Sequence, residues 1–401
     1  MMNRLSIVSA GALILAMAAS APVLARSFPL APNQTAVGDV GHYTTRYEDT
    51  LLDVARGNDL GYTQLITANR GIDPWLPGKG HRIAVPQFYI LPDGPRRGIV
   101  INLAEQRLFY FPPGGQTVET FPIGVGVQGW VTPLGATRIV DKQTHPAWYP
   151  PASIRAEKPE LPNYVAPGPD NPLGDYAMRL GWRSYLLHGT NKPFGVGRNV
   201  SHGCVRLYPE DIDHLFHEVS VGTPVRVINQ EVEAAWIDNQ LYVAVFPNKT
   251  QTDQIDVEEK MTPVLPTNLL ARVKAVAGEQ ANRVDWDRVK QVGMERTGMP
   301  TLVTPMAVAA REGSDAAAPP NADGDAPDQT PAATGPASES DPALSPDTQT
   351  YPDSGEPGPE AQADPNRDAA DQNANNDAVT TDGAPSDLAT INRVIENFPA
   401  K

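Results

Sequence analysis

Cysteine is all but absent from this sequence: Cys204 is the single one in 401 residues. That excludes an internal disulfide, and it excludes a lipid anchor of the kind that needs a cysteine at the cleavage point of an export signal. A lone thiol in an exported chain is either an inert small core residue or a group kept for its chemistry. Long apolar runs are scarce as well. The one that stands out, Leu5 to Ala19, is too short for a comfortable membrane span. It follows Arg4 and precedes Val23-Leu24-Ala25, which is the three-part plan of a secretory signal, so residues 1–25 are expected to be a signal peptide cleaved after Ala25. With no second run of spanning length, the mature chain is expected outside the cytoplasm without a membrane span.

Excess positive charge is also missing. Residues 311–390 hold 17 acids against 2 arginines, which is the whole net charge of −15, and the remainder carries 30 groups of each sign. A balanced folded part gives no footprint for nucleic acid. The same stretch is rich in Ala, Pro, Asp, Gly and Asn and nearly empty of aromatic and branched apolar residues. It cannot bury enough surface to offset chain entropy and is expected to be a disordered acidic tail.

Between signal and tail the hydrophobic pattern changes character twice. Residues 42–86 read as a small α+β unit. Asp49 or Thr50 is a fair N-cap for a helix burying Leu51, Leu52, Val54 and Ala55; Tyr62, Leu65, Ile66 and Ala68 mark a second helix, with Asn69 and Gly71 ending it and a strand on either side. Tyr43, Asp49-Thr50-Leu51, Ala55, Leu65, Asn69, Pro77-Gly78, Ile83 and Pro86 together make this unit similar to the lysin motif, which implies binding of N-acetylglucosamine-containing glycan. Residues 97–229 alternate instead: Ile99, Ile101 and Leu103, then Leu108 and Tyr110, then Val118 and Thr120, with Val225 and Val227 at the end. Turns at Pro112-Pro113-Gly114-Gly115 and Pro133-Gly135 break this into short strands, a mainly β domain with one amphipathic helix from Pro209 through Ile212, Leu215, Phe216 and Val219. His214 and His217 beside that stripe read as surface or capping residues. Residues 230–300 are expected to add a hairpin turning at Asp238-Asn239 and helices near 268–277 and 284–292.

Two segments supply a nucleophile and candidate bases: His188-Gly189-Thr190-Asn191-Lys192-Pro193 and Ser201-His202-Gly203-Cys204-Val205-Arg206-Leu207. A thiol attacks carbonyls as thiolate, and a neighbouring imidazole can take its proton. Gly203 permits a tight turn that leaves backbone N–H groups free to face a developing oxyanion. Arg206 suits bidentate capture of a substrate carboxylate.

These two segments and their spacing resemble the L,D-transpeptidase family, whose catalytic domain is called YkuD-type, and Ser/Thr-His-Gly-Cys is close to diagnostic of it. The resemblance runs on through Ile99 to Leu108, Gly124, Thr132-Pro133, Trp148-Tyr149-Pro150-Pro151 and Gly168-Pro169-Asp170-Asn171-Pro172-Leu173-Gly174. It implies a mixed β-sandwich or barrel-like fold of YkuD type and a peptidoglycan L,D-transpeptidase of the periplasm. Cys204 would be the nucleophile, His188 the base, the Gly189 carbonyl its orienter, and His202, Gly203 and Cys204 the backbone oxyanion hole, with Arg206, Ser201, Thr190 and Asn171 at the substrate and Trp148 to Pro172 as lid or substrate wall. No cofactor or metal is expected. The partners implied are peptidoglycan stem peptides and glycan strands, and the acceptor is left open between the diaminopimelate amine of another stem, a lysine of an outer-membrane lipoprotein, and water. A zinc site of His188, His202 and Cys204 is the competing use of these side chains, disfavoured by the single residue between His202 and Cys204. A wall-binding structural protein with a relic motif is a further alternative, against which the intact motif argues.

Overall fold

The computed structural model describes residues 26–305, residue 128 apart. The expected signal peptide and acidic tail lie outside the described residues. Among the described residues no helix is long and apolar enough to cross a membrane.

A nine-stranded sheet organises the molecule. In chain order its members are β1 (Arg26–Pro29), β4 (Gly98–Asn102), β5 (Arg107–Phe111), β6 (Thr117–Pro122), β8 (Gly135–Thr144), β9 (Tyr176–Leu180), β10 (Leu186–His188), β12 (Val205–Arg206) and β13 (Pro224–Ile228). They lie in the order β1-β6-β5-β4-β13-β8-β9-β10-β12. Only β4 with β13 and β10 with β12 run parallel; the other neighbours are antiparallel. The chain is mainly β here.

Alternation along the strands divides their side chains between two faces. Ile99, Ile101, Leu108, Tyr110 and Phe121 point to one core, which α4 (Pro209–Glu218) covers with Ile212, Leu215 and Phe216. Val100, Phe109, Phe111 and Val118 point to the other, against Val37, Tyr89 and Leu91. This is why β5 is buried along its whole length despite the strict alternation.

The second face is covered by the N-terminal unit. Here β2 (Ala36–Thr44) and β3 (Arg82–Ile90) pair antiparallel from Ala36↔Ile90 to Thr44↔Arg82, with α1 (Leu51–Arg56) and α2 (Tyr62–Ala68) between them. Thr50 is the N-cap of α1, its hydroxyl accepting from Asp53 N, while the Asp49 carboxylate accepts from Tyr43 Oη and Arg46 N. α2 has no side-chain cap. Its first amides end instead on the segment between β10 and β12, Tyr62 N on Val196 O and Thr63 N on Gly197 O. The backbones meet so closely that a Cβ on Gly197 would lie 2.3 Å from Gly61 Cα.

The C-terminal segment builds a third layer. β14 (Val232–Ile237) and β15 (Gln240–Val245) form a hairpin whose turn, Asp238 and Asn239, has positive φ at both residues. Helices α6 (Leu269–Ala277) and α7 (Trp286–Glu295) pack on it and β16 (Thr301–Leu302) extends it. A helix absent from the sequence reading, α5 (Lys249–Glu258), begins at a capping box of Asn248 and Gln251.

Polar groups buried between the layers carry a pH consequence. The Asn102 amide donates both to Glu105 (3.4 Å) and to Glu233 (3.1 Å), and burial holds both carboxyls above the ordinary carboxylate range, Glu105 at about 8. Asp256 is pushed up to about 7 by burial, against the pull of Arg198. The folded protein keeps protons here that the unfolded chain releases near pH 4, so this stabilisation is complete below pH 4 and declines as pH rises through 7 to 8. Each proton contributes about 1.4 kcal/mol per pH unit while it is being lost. The thermal midpoint is therefore expected to drop between pH 5 and pH 8, and Glu105→Gln to make that drop shallower. Equal slopes in the two proteins, measured by calorimetry, would contradict this account.

Candidate active site

The parallel pairing of β10 with β12 sets Leu187 opposite Val205 and His188 opposite Arg206. Leu187 and Val205 both go to the core. By the two-residue period of a strand, His188, Arg206 and Cys204 just before β12 therefore share the opposite face. His188 and Arg206, 18 apart in sequence, are thereby placed side by side.

His188 is buried, and its Nδ1 lies 2.6 Å from the Gly189 carbonyl oxygen. A carbonyl only accepts, so Nδ1 carries the hydrogen and the neutral ring leaves the Nε2 lone pair available as a base. Burial drives the His188 pKa down to about 3, helped by the charge of Arg206 and opposed by the carbonyls of Gly189 and Leu173. Burial also raises the Cys204 thiol, an effect that the Leu186 backbone and Arg206 moderate. Both groups are thus neutral at rest. The thiol donates to the Ser184 carbonyl at 3.6 Å in this structure.

Three carbonyls of the loop from Ser201 to Cys204 are tied down. Ser201 O accepts from Val127 N at 2.8 Å, Gly203 O from the Thr132 hydroxyl at 2.8 Å, and Cys204 O from the Ser201 hydroxyl. Within one trans peptide the N–H points away from the C=O, so fixing Gly203 O also aims the Cys204 N–H. Among the described residues none of the His202, Gly203 and Cys204 N–H groups has a hydrogen-bond acceptor. Gly203 has φ +95°, and a Cβ there would lie 2.8 Å from the Tyr185 ring, so glycine is required on both counts.

The remaining residues expected at the site divide into two groups. Arg206 lies beside Cys204: burial lowers its pKa, a charge on Cys204 opposes that, and its Nε is buried without a partner. A half-buried guanidinium next to Cys204 suits a ligand carboxylate. His202 touches the segment expected to be a lid, its Nε2 2.8 Å from the carboxylate of Glu157 in α3 (Ala152–Glu157) and its ring edge-on to Trp130. In the same segment Tyr149 and Tyr164 stand exposed with ring centroids 5.2 Å apart.

Ser201, Thr190 and Asn171 are placed differently from the expectation that they face substrate. Asn171 is fully buried; its amide donates to the carbonyls of Pro146, Val165 and Ala166, and its Oδ1 accepts from Leu173 N. The Thr190 hydroxyl accepts from Lys192 N, and Ser201 is spent on Cys204 O. All three are consumed in holding loops, since a buried polar side chain beside irregular backbone satisfies that backbone first. Thr132, Trp130, Tyr185 and Glu157 touch this loop without an individual role in the reading from sequence; there Thr132 enters only through the resemblance and Glu157 only within the segment from Trp148 to Pro172. Among the described residues no group of three or more His, Cys, Asp or Glu is arranged to hold a metal ion. Of the rings in the zinc alternative, that of His188 is committed to Gly189 and that of His202 to Glu157.

Comparison with known proteins adds three findings. The model of the L,D-transpeptidase catalytic domain, YkuD, matches residues 96–227. The chain is 37% identical over 298 residues to "Probable L,D-transpeptidase YcfS" of Escherichia coli K12, covering 72% of this chain and 91% of that one. It is 38% identical over 314 residues to "Probable L,D-transpeptidase ErfK/SrfK" of the same strain, covering 76% and 98%, and 42% identical over 248 residues to "Probable L,D-transpeptidase YbiS", covering 60% and 79%. The longer alignments extend well beyond the YkuD match, so the similarity includes flanking layers as well as the catalytic sheet.

A neutral thiol beside a neutral imidazole has a recognisable alkylation profile. Modification of Cys204 by iodoacetamide is expected to rise only at alkaline pH, with a midpoint above the ~8.5 of a free thiol. A plateau of reactivity between pH 5 and 7, lost in His188→Ala, would instead reveal a preformed thiolate–imidazolium pair and overturn this assignment.

Proposed function

This chain belongs to the L,D-transpeptidase family, and we propose that Cys204 and His188 are the residues with which it carries out acyl transfer on peptidoglycan stem peptides. The observation that carries this reading is the shared face of Cys204, His188 and Arg206 above a loop in which the Ser201, Gly203 and Cys204 carbonyls are tied and the N–H groups of residues 202–204 have no acceptor among the described residues.

Donor stem binding brings the carbonyl of an L-centre, joined to a terminal D-residue, against the thiol. His188 Nε2 takes the thiol proton as sulfur forms the new bond, and the oxyanion is received by the N–H groups of residues 202–204. The protonated ring, whose pKa burial drives down to about 3, is a strong acid and passes its proton to the departing D-alanine amine as the C–N bond breaks. The thioester then meets an acceptor amine: His188 takes the amine proton, the new amide forms, and the thiol is restored. Arg206 holds a donor carboxylate, and the segment carrying Tyr149 and Tyr164 walls off the thioester from water.

Three finer assignments belong to the same proposal. The acceptor is an amine, either the diaminopimelate side chain of a second stem, giving a 3-3 cross-link, or a lipoprotein lysine. The N-terminal unit binds glycan as a lysin motif, a reading supported by its strand-helix-helix-strand order and by the exposed Tyr47 and Leu76 on its loops. The working place is the periplasm, supported by the signal-like residues 1–25.

Incubation of the protein with a tetrapeptide donor is expected to release D-alanine and give a thioester detectable by mass. Cys204→Ala abolishes the thioester, and His188→Ala slows its formation by about 10²- to 10⁴-fold. Arg206→Met raises donor KM more than it lowers kcat, which Arg206→Lys only partly repairs. Supply of excess amine yields the cross-linked product; free tripeptide as the sole product would make the protein a hydrolase instead. Muropeptides from cells lacking the protein distinguish the acceptors, since 3-3 dimers vanish in one case and lipoprotein-bearing fragments in the other.

A further inference from the structure

Helix α5 comes from the C-terminal segment, yet one of its faces grips the approach to the catalytic loop. That approach is a two-stranded parallel ribbon of β7 (Val125–Gly126) and β11 (Asn199–Ser201), the second of which runs directly into His202-Gly203-Cys204. Lys249, Asp253 and Asp256 stand at helical spacing along α5 and each meets the ribbon or its flank. Lys249 Nζ donates to Gly126 O at 2.5 Å, Asp253 accepts from the Asn199 amide at 2.7 Å, and Asp256 lies 3.8 Å from Arg198 with both side chains buried.

The contact of Lys249 is the one that reaches the chemistry. Gly126 O and Val127 N are the two ends of one peptide group, and Val127 N donates to Ser201 O at 2.8 Å. A cation on the carbonyl end polarises that peptide and strengthens the bond at its amide end. Gly126 also backs Gly203 directly, for a Cβ on Gly126 would lie 3.0 Å from Gly203 Cα. We propose that Lys249 is a positioning residue for acyl transfer, holding the 126–127 peptide so that Ser201, and with it the N–H groups of residues 202–204, stay aimed at the reacting carbonyl. The ammonium is half-buried and its pKa lowered by that burial, with Asp253 opposing the shift. Asp253 in turn fixes Asn199 in the partner strand, so the helix holds both strands of the ribbon.

This inference rests on the oxyanion role proposed for residues 202–204, and the experiment separates the two. Thioester formation from a tetrapeptide donor is followed in single turnover beside alkylation of Cys204 by iodoacetamide, which needs the thiol but no oxyanion hole. Lys249→Met is expected to slow acylation by about tenfold to a hundredfold while donor affinity, alkylation rate and thermal midpoint stay near the wild-type values. Lys249→Arg restores most of the rate, and Asp253→Asn gives a smaller loss. Lys249→Gln, which keeps a donor without charge, is read in the same way should Lys249→Met not fold. Unchanged acylation in these variants, or acylation and alkylation falling together with the melting midpoint, overturns the positioning role. Failure of the wild type to form a thioester would strike at the underlying catalytic assignment instead.

Discussion

Everything at the active site depends on two residue pairs of parallel β-ladder, Leu187 with Val205 and His188 with Arg206. A parallel pair cannot be made by a tight turn, so the chain between them has to leave the sheet and return. It does so through residues 189–204, and that excursion contains the whole catalytic loop. Because side chains alternate, the register that buries Leu187 and Val205 also delivers imidazole, thiol and guanidinium to the other face. A slip of one residue would put His188 in the core and a leucine beside the thiol. Core packing and catalytic geometry are therefore one constraint.

The excursion is long enough to wander, and its fixation comes from outside the sheet. Arg107 is fully buried and donates to Thr120, to the Asp59 carbonyl and to Gln64, with its guanidinium over Tyr89. Arg198 lies 3.6 Å from the ring centroid of Tyr62 in α2. Arg107 joins the N-terminal unit to the sheet, and Arg198 joins it to the excursion itself. Burying a guanidinium is costly unless its charge and donors are met, so such residues specify one arrangement more than they add net stability. Arg56 adds a bidentate pair to Glu210 at the start of α4.

Much of this was legible in sequence where the physics is local. Alternating apolar residues marked the strands from Ile99 to Tyr110, the stripe from Ile212 to Val219 marked α4, and Asp238-Asn239 marked the hairpin turn. The His188 and Cys204 segments were legible as chemistry because thiol, imidazole and glycine at that spacing have few other uses. What escaped was non-local. α5 has little apolar stripe for a periodicity to find, and only its capping box hinted at a start. Asn171 and Ser201 read as substrate ligands because polar residues in a motif look outward, whereas each is consumed by nearby backbone carbonyls and amides. Arg107 reaches Asp59 and Gln64, Arg198 reaches Tyr62 and Lys249 reaches Gly126, each more than 40 residues away, and nothing in a linear pattern names these partners.

The meeting of Gly61 with Gly197 has a consequence for how such a protein changes over time. The first amides of α2 end on the carbonyls of Val196 and Gly197, within the excursion that leads to Cys204, and neither glycine has room for a side chain. A gene fusion that replaced either half would leave a helix start with bare donors and a loop with bare acceptors. The two halves are thus inherited as one body, not traded as beads on a string, and drift in one must be answered in the other.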